Sequence, residues 1–502
     1  MKVIIPIIES MSPAELENVK RGLMQFSTKR PKKSDPEGSA SLKLVDAVTK
    51  FGHAYSNDDY CQLIYGQKHD PKFRALKFWL KRRLNELRIS DVCLSHNDEV
   101  PLAYKFRIQA RNYITQSYLY HGQSHGKHVQ EFLFVQAVKI GEEWELFEEL
   151  VEAYYLMGIA YRNDQKKFLE LCEKKHYYRK CQLALDRVLE LKNLRLSVLE
   201  SERNLPPHVE AALLEEPLEE MKPLMKEIKS DKFKYFYLSL LNDFYVAKRD
   251  YPKADEVAQE LLAMVKTNKL VSASYRLGKC YGMLCTQALF QKNYEGVLDY
   301  VKSLKEHLNP GTNNMRLTLE HELQALLHLG RYDDAQRTLK TLCAESFYYE
   351  NKQYAGQYNY YQAVIHFLKG NYSDCFSILQ SIRDITDDKA GWNIGVRQLS
   401  FMCLVEMGLY QQASATVEQM RKYIDRTKSK VEFRERDRVI YSLFAALNRA
   451  DFDFNYPKST MQKLVDRLSD DKGPVAFEPV SSEIVPIHTW FKKHQKKQKK
   501  NA

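Results

Sequence analysis

The stretch Leu329-Gly330-Arg331-Tyr332-Asp333-Asp334-Ala335 decides the fold, because altered copies of it recur along the chain. Each copy has a tyrosine, a small or β-branched residue three positions later, and an aliphatic residue or methionine ten positions later. The tyrosines are 43, 38, 40 and 38 residues apart, and a glycine stands two positions before three of them. The copies are centred on Tyr251, Tyr294, Tyr332, Tyr372 and Tyr410.

This pattern predicts antiparallel helix pairs that turn at the tyrosines. Glycine ends a helix readily because it adopts the left-handed cap conformation without a steric cost. The small residue allows two helices to approach closely, and the aliphatic residue lies nearly three turns along on the same face. Two short amphipathic helices cannot bury their own apolar faces, so successive pairs stack. We therefore expect an all-α protein, an α-solenoid of pairs similar to tetratricopeptide repeats (TPR).

The rest of the chain predicts further helices and an irregular insert. The insert is inferred from Pro206, Pro207, Pro217 and Pro223 in an acidic stretch. We expect a small N-terminal helical domain over 1–98, TPR-like repeats over 99–203 and 234–470, the irregular acidic insert over 204–233, and a linker with a basic tail over 471–502.

Composition places the chain among folded cytoplasmic proteins. Its 502 residues are 44% apolar, which is enough for a packed core. No uninterrupted apolar run approaches the ~18 residues of a membrane span, and the first residues are too short an apolar run for a signal peptide. The nine cysteines include no CxxC motif and are typical of thiols in a reducing compartment. We expect no membrane contact, no cofactor and no metal.

The net charge of +11 is concentrated at the C-terminus. The last eleven residues hold six lysines and no acid, so 11 − 6 leaves +5 for the rest. Such tails are usually solvated and contribute little to the fold. We therefore expect deletion of residues 488–502 to change the free energy of unfolding by less than about 1 kcal/mol.

The N-terminal third resembles an uncharacterised group of bacterial TPR-like proteins common in Bacteroidota. The resemblance rests on Ser12-Pro13-Ala14-Glu15, on Leu42-Lys43-Leu44-Val45-Asp46-Ala47, on Leu76-Lys77-Phe78-Trp79-Leu80 and on the helix pair at 113–160. The polar insert at 27–41 departs from that group. The resemblance implies a cytosolic helical-repeat architecture and no activity.

Two short motifs could carry chemistry, and both have a simpler interpretation. Gly122-Gln123-Ser124-His125-Gly126 matches the GxSxG nucleophile elbow, but that elbow needs a preceding strand within a parallel sheet. No βα alternation surrounds it, so we expect a turn between helices and no enzyme. Neither the nearby His121, His125 and His128 nor the pair Cys172 and His176 makes a full metal-ligand set.

A stripe of tyrosines suggests the main functional hypothesis. Tyr354, Tyr358 and Tyr361 fall on one face of a predicted helix, next to the neutral amide of Gln357. Aromatic packing between stacked helices would explain them. The alternative, on which our hypothesis rests, is a concave groove that binds a protein partner through these side chains. The sequence then indicates a non-enzymatic interaction scaffold.

A second hypothesis is binding to nucleic acid or to the ribosome. The helix predicted at 71–90 carries seven basic residues and one acid, on the face opposite its apolar stripe. A solvated face would explain these charges, whereas contact with phosphates is the functional alternative. The candidate basic surface consists of Lys77, Lys81, Arg82, Arg83, Arg88, Lys492, Lys493, Lys496 and Lys497.

Overall fold

A computed structural model of the chain is all-helical in the part that it describes. The described residues are 1–9, 11, 13–25, 40–94, 102–120, 127–201, 207–345, 348–349, 351–382, 391–427, 433–455, 458–470 and 473–501. No strand occurs among them. Neighbouring helices pack against each other in sequence order, which confirms the predicted all-α helical repeat.

The described chain divides into two compact units, and the first comprises residues 1–187 and 227–232. Its helices cover both the predicted N-terminal domain and the first predicted repeats. The α-helices that begin in this unit are α1 (Ile4–Glu9), α2 (Pro13–Gln25), α3 (Ala40–Phe51), α4 (Asn57–Tyr65), α5 (Pro71–Leu94), α6 (Leu102–Leu119), α7 (Lys127–Glu143), α8 (Phe147–Ala160) and α9 (Gln165–Ser201), with a 3₁₀ turn at Gly52–Ala54.

The second unit comprises residues 188–226 and 233–502. It contains the five tyrosine-centred copies and the C-terminal helix. The α-helices from residue 207 onward are α10 (Pro207–Met221), α11 (Leu224–Glu227), α12 (Asp231–Ala247), α13 (Tyr251–Thr267), α14 (Ser274–Phe290), α15 (Tyr294–Lys305), α16 (Asn313–His328), α17 (Tyr332–Ala344), α18 (Lys352–Leu368), α19 (Tyr372–Ser381), α20 (Trp392–Glu406), α21 (Tyr410–Thr427), α22 (Glu435–Arg449), α23 (Lys458–Ser469) and α24 (Ile487–Asn501).

The predicted turns are confirmed, because each of the five tyrosines is the first residue of a second helix. Before each tyrosine, the backbone N–H donates to the carbonyl oxygen five residues earlier, at 2.8–2.9 Å. This hydrogen bond is the mark of the Schellman motif. The residue two positions before each tyrosine has a positive φ, which is 83° at Gly370 and 60° at both Arg249 and Lys292. Two copies therefore accept a left-handed cap without glycine.

The packing at these turns explains the other two positions of the repeat. The residue three positions after each tyrosine is fully buried in all five copies. The tyrosine ring stacks on the end of the next first helix, as between Tyr251 and Phe290 (4.6 Å between ring centroids) and between Tyr294 and His328 (4.5 Å). The tyrosine thus closes the junction between one helix pair and the next.

The first unit holds a copy of the same turn that the tyrosine pattern does not reveal. Phe147 stands where the tyrosine would be, Glu145 has a φ of 47°, and the N–H of Leu146 donates to the carbonyl of Gly141 at 2.9 Å. The residue three positions later is the large Leu150. The facing helix α7 makes room for this side chain with a glycine, Gly141. A Cβ on Gly141 would lie only 2.7 Å from the Leu150 side chain.

The prediction of an irregular insert at 204–233 was wrong for the part that the structure describes. Residues 207–221 form helix α10, with Pro207 at its first position, where the missing N–H costs nothing. One face of α10 is buried, and Pro217 is accommodated within the helix. The buried residues Ala211, Leu214, Leu218 and Met221 follow a helical period that the prolines obscured.

The prediction of a solvated basic tail within 471–502 was also wrong, whereas residues 473–486, where a linker was expected, form no helix. Residues 487–501 form helix α24, which packs on α23. Trp490 and Phe491 are buried, and the indole N–H of Trp490 donates to Glu406 at 2.8 Å. Lys493, Lys496 and Lys497 are exposed on the opposite face of the helix. The apolar and polar residues of this segment alternate with a helical period, so α24 covers the end of the stack with a polar outer surface.

Candidate interaction surfaces

The tyrosine stripe belongs to the core of the second unit. Tyr358 and Tyr361 are 1% and 0% exposed, and Gln357 is buried beside them. These three side chains face the neighbouring helix α16, so they offer no surface to a partner. The prediction that they line a binding groove was wrong.

Polar residues of α16 explain how the hydroxyl groups of Tyr358 and Tyr361 can be buried in this core. The Tyr358 hydroxyl donates to the Glu320 carboxylate at 3.0 Å, and the Tyr361 hydroxyl accepts from the Gln324 amide at 2.8 Å. Buried hydroxyls need such partners. Burial raises the pKa of both tyrosines well above its usual range, so both side chains remain neutral. The aromatic pattern therefore reports packing between stacked helices.

Tyr354 is the half-exposed member of the stripe. The Arg316 guanidinium lies over its ring, 4.3 Å from the centroid. Arg316 also pairs with Glu320, and this pair connects Tyr354 to the buried tyrosines through one polar cluster. A single half-buried ring that already has a cation on its face is a poor anchor for a partner.

Helix α5 carries an exposed aromatic pair that the sequence analysis missed. Phe78 is 64% exposed and Trp79 is 55% exposed, and their rings meet edge to face with centroids 5.5 Å apart. The Arg82 guanidinium lies 5.8 Å from the Trp79 ring centroid. Both aromatic residues lie among the cations of the polar face. Two aromatic residues on a face that is otherwise polar were the sequence feature that could have revealed this site.

Basic side chains surround this pair because of the helical spacing. Arg74, Lys81 and Arg82 stand four before, three after and four after Phe78, which places them around its ring. Arg82 also pairs with Glu86 at 2.9 Å, whereas Arg74 and Lys81 form no ion pair with the described residues. We call Arg74, Phe78, Trp79, Lys81 and Arg82 the α5 face.

The opposite side of α5 holds the helix in place. Phe73, Leu80 and Leu84 are buried in the core of the first unit, where α5 packs on α1, α2 and α3. The predicted basic residues divide accordingly. Lys77 lies nearer the core and donates to Asn57 at 3.1 Å, and Arg83 pairs with Glu86 at 2.9 Å. The side chain of Arg88 lies outside the described residues.

The lysines of α24 form a separate basic surface in the second unit. Lys493, Lys496 and Lys497 are exposed, and Lys492 donates to the Ser469 hydroxyl at 2.7 Å. The aromatic residues of this helix point inward, so the surface has charge but no exposed ring. It differs from the α5 face in that respect.

The GxSxG motif at 122–126 lies outside the described residues, so its predicted turn stays a prediction. The segment before the motif is helix α6, whereas a nucleophile elbow follows a strand. Within the described part of the chain, no three His, Cys, Asp or Glu side chains form a group that could hold a metal ion. None of the described helices has both the length and the apolar character of a membrane span.

Comparison with known proteins identifies no relative of this chain. No protein-family model matches it, and no curated protein matches it. The resemblance to bacterial TPR-like proteins therefore stays a prediction that rests on the N-terminal motifs. Of those motifs, residues 42–47 and 76–80 lie in helices α3 and α5.

Proposed function

We propose that this protein is a non-enzymatic helical-repeat protein that binds single-stranded nucleic acid through the α5 face. The observation that carries the proposal is that Phe78 and Trp79 are exposed next to cationic side chains of the same helix. The scaffold hypothesis relied on the tyrosine stripe, in which Tyr358 and Tyr361 are buried and the half-exposed Tyr354 already has the Arg316 guanidinium over its ring. The α5 face is the part of the predicted basic surface that combines charge with exposed rings.

The chemistry of this face fits a single strand. Unpaired bases expose their faces and stack on aromatic side chains, while Lys and Arg contact the phosphates that follow along the strand. Stacking on one aromatic residue contributes about 1–3 kcal/mol per base. Arg74 and Lys81, which have no ion-pair partner among the described residues, are available to phosphates without breaking an existing pair.

The first test measures the binding of a fluorescein-labelled 12-nucleotide single strand by polarisation. Replacement of Phe78 and Trp79 by alanine should weaken binding at least about fivefold, because stacking worth about 1–3 kcal/mol per ring is lost. The matched control is Phe132→Ala on α7, since Phe132 is 58% exposed and lies in the same unit. Equal binding by the double variant and the control would refute the proposal.

The second test separates phosphate contacts from stacking. The slope of log affinity against log salt should fall by about 1.4 in Arg74→Ala/Lys81→Ala, since each lost contact with a single strand contributes about 0.7. The control Lys50→Ala/Lys139→Ala removes two exposed lysines of the same unit and should leave the slope unchanged. Anionic lipid vesicles serve as the competing ligand. If the α5 variants lose vesicle binding while strand binding persists, the face binds membranes instead.

A further inference from the structure

The connection between α23 and α24 is much longer than the geometry requires. The two helices pack on each other, yet seventeen residues, 470–486, separate them. Connections of this length without regular structure are uncommon and often functional. The described residues 473–486 form no helix, and they contact residues of several earlier repeats. We call residues 473–486 the C-terminal loop.

The root of this loop is held by a buried arginine. The Arg436 guanidinium donates to the Glu483 carboxylate at 2.9 Å and to the carbonyl oxygen of Val475 at 2.5 Å. The two charged side chains are almost completely buried. Nearby, the Tyr360 hydroxyl donates to the carbonyl oxygen of Ser482 at 2.7 Å. Because removal of one partner from a buried ion pair is strongly destabilising, the root is a fixed part of the fold.

The tip of the loop, which we define as Phe477 and Glu478, contacts residues from distant repeats. The Glu478 carboxylate pairs with Arg249, after α12, at 2.8 Å, and with Arg434, before α22, at 3.8 Å. The Phe477 ring meets the ring of His328 edge to face, with 5.9 Å between centroids, and the Lys292 ammonium lies 5.9 Å from its centroid. One phenylalanine and one glutamate thus join four repeats.

The acid of the tip is held much more weakly than the root, whereas the Phe477 ring is buried and lies 5.5 Å, measured from its centroid, from the Arg436 guanidinium. Arg249 is 47% exposed and Glu478 is 28% exposed, and ion pairs with this degree of exposure contribute little. His328 also has a buried ring nitrogen, Nε2, without a hydrogen-bond partner among the described residues. A buried polar atom without a partner is costly, so the tip is not the best occupant that this site could have.

We propose that Arg249, Lys292, His328 and Arg434 form a receptor for an aromatic–acidic peptide, and that Phe477 and Glu478 occupy it as an internal ligand. The partner that fits is an extended segment of another protein with an aromatic residue next to an acid. Arg249 and Arg434, from separate repeats, select the acid, and the His328 ring and the Lys292 ammonium receive the aromatic side chain. The partner displaces the tip while the root at Arg436 stays in place.

The sequence of the tip has the features of a peptide ligand. Pro474 and Pro479 each stand at the second position of a turn, one closed by the Ala476 N–H on the Gly473 carbonyl and one by the Ser481 N–H on the Glu478 carbonyl, and proline leaves such turns little conformational entropy to lose on binding. An internal ligand competes at an effective concentration of about 1 mM when its tether is short. The receptor is therefore closed to weak peptides and opens to partners that bind it better than the tip does.

The test uses the full-length protein and a fluorescein-labelled peptide with the sequence of residues 474–480. The variant Phe477→Ala/Glu478→Gln empties the receptor and should bind this peptide at least about tenfold more tightly than the wild type, which retains its tethered competitor. A peptide with the same two substitutions should not bind. Addition of Arg249→Ala to the variant should weaken binding by up to about fivefold, since the acid loses its closest cation in a partly exposed ion pair.

Two outcomes would overturn the proposal. If the folded double variant binds no more peptide than the wild type, the loop is only a structural connection. If the variant dimerises instead of binding peptide, the receptor is filled by a second copy of the chain. Should the double variant unfold, Phe477→Leu alone removes the aromatic ring and keeps most of its apolar packing. It should then bind the peptide more tightly than the wild type, and equal binding would refute the receptor.

Discussion

Replacement of Phe491 by alanine should undock helix α24 from the second unit. Phe491 is fully buried, and its ring lies 4.8 Å from that of Phe454, measured between centroids. Replacing a buried phenylalanine by alanine costs about 3–5 kcal/mol, because apolar burial is lost and a cavity remains. The cost is large relative to total domain stabilities of about 5–15 kcal/mol.

The hydrogen bonds of α24 make the loss cooperative. Gln495 donates its side-chain amide to the carbonyl oxygen of Phe454 at 3.1 Å, and Gln498 accepts from the Phe454 N–H at 2.9 Å. Once Phe491 no longer anchors the helix, these bonds exchange with water. We therefore expect the whole helix to detach and the buried Trp490 to become exposed.

The assay is urea unfolding followed by circular dichroism and by tryptophan fluorescence. The midpoint should fall in Phe491→Ala, and the part of the tryptophan signal that Trp490→Phe removes, which separates it from Trp79, Trp144 and Trp392, should shift at lower urea than the loss of helix. Lys493→Ala is the matched control, since Lys493 lies on the exposed face of the same helix and its loss should change stability by less than about 0.5 kcal/mol.

Equal urea midpoints for Phe491→Ala and Lys493→Ala would contradict the expected undocking of α24. That result would mean that α24 contributes no packing energy and behaves as the solvated tail that its lysines suggested. A loss of several kcal/mol confined to Phe491→Ala would instead assign α24 the role of a terminal cap on the stack.

Two further predictions concern the turns and the pH dependence. Gly370→Ala should destabilise the second unit by about 1–2 kcal/mol, because φ is 83° there and no atom lies near the added Cβ, so the cost is conformational. Gly282→Ala, inside α14, should stabilise by about 0.5–1 kcal/mol, since its added Cβ meets nothing nearer than 4.0 Å; thermal unfolding checks both. The pKa of Glu406 is lowered, since hydrogen bonds from His494 and Trp490 outweigh the opposing effect of burial. A group whose pKa is lowered in the folded state stabilises the fold above its ordinary pKa of 4.5, and this stabilisation is lost as the pH falls. Acidification should therefore loosen the docking of α24. Glu406→Gln should remove this pH dependence, measured by Trp490 fluorescence.

The helix pairs could be predicted because the interactions that define them are local. In the Schellman motif the hydrogen-bonded groups are five residues apart, as between Arg331 and Leu326, and the small residue follows the tyrosine by three. Such spacings are visible in any copy of the repeat. The copy at Phe147 was not predicted, because the small residue that lets its two helices approach is Gly141 on the facing helix. The pattern then contains no small residue at the expected position.

The candidate sites could be predicted less well. An aromatic stripe has the same spacing whether it faces solvent or a neighbouring helix. The burial of Tyr358 depends on Glu320, which lies 38 residues away and offers the acceptor that its hydroxyl needs. On α5 the position of Phe78 and Trp79 on the polar face could be read from the helical period, because their cationic neighbours stand three and four residues away.

The amino-acid sequence by itself determined the helices, their turns and the polar face of α5, because each depends on residues within a few turns of one another. Only the tertiary structure decided where the last thirty residues belong. Glu478 meets Arg249, and Trp490 meets Glu406, across 229 and 84 positions of chain. No local period encodes such contacts, since stacking of the helix pairs is what brings these residues together. The same stacking buried the tyrosine stripe and formed the receptor that the chain's own loop fills.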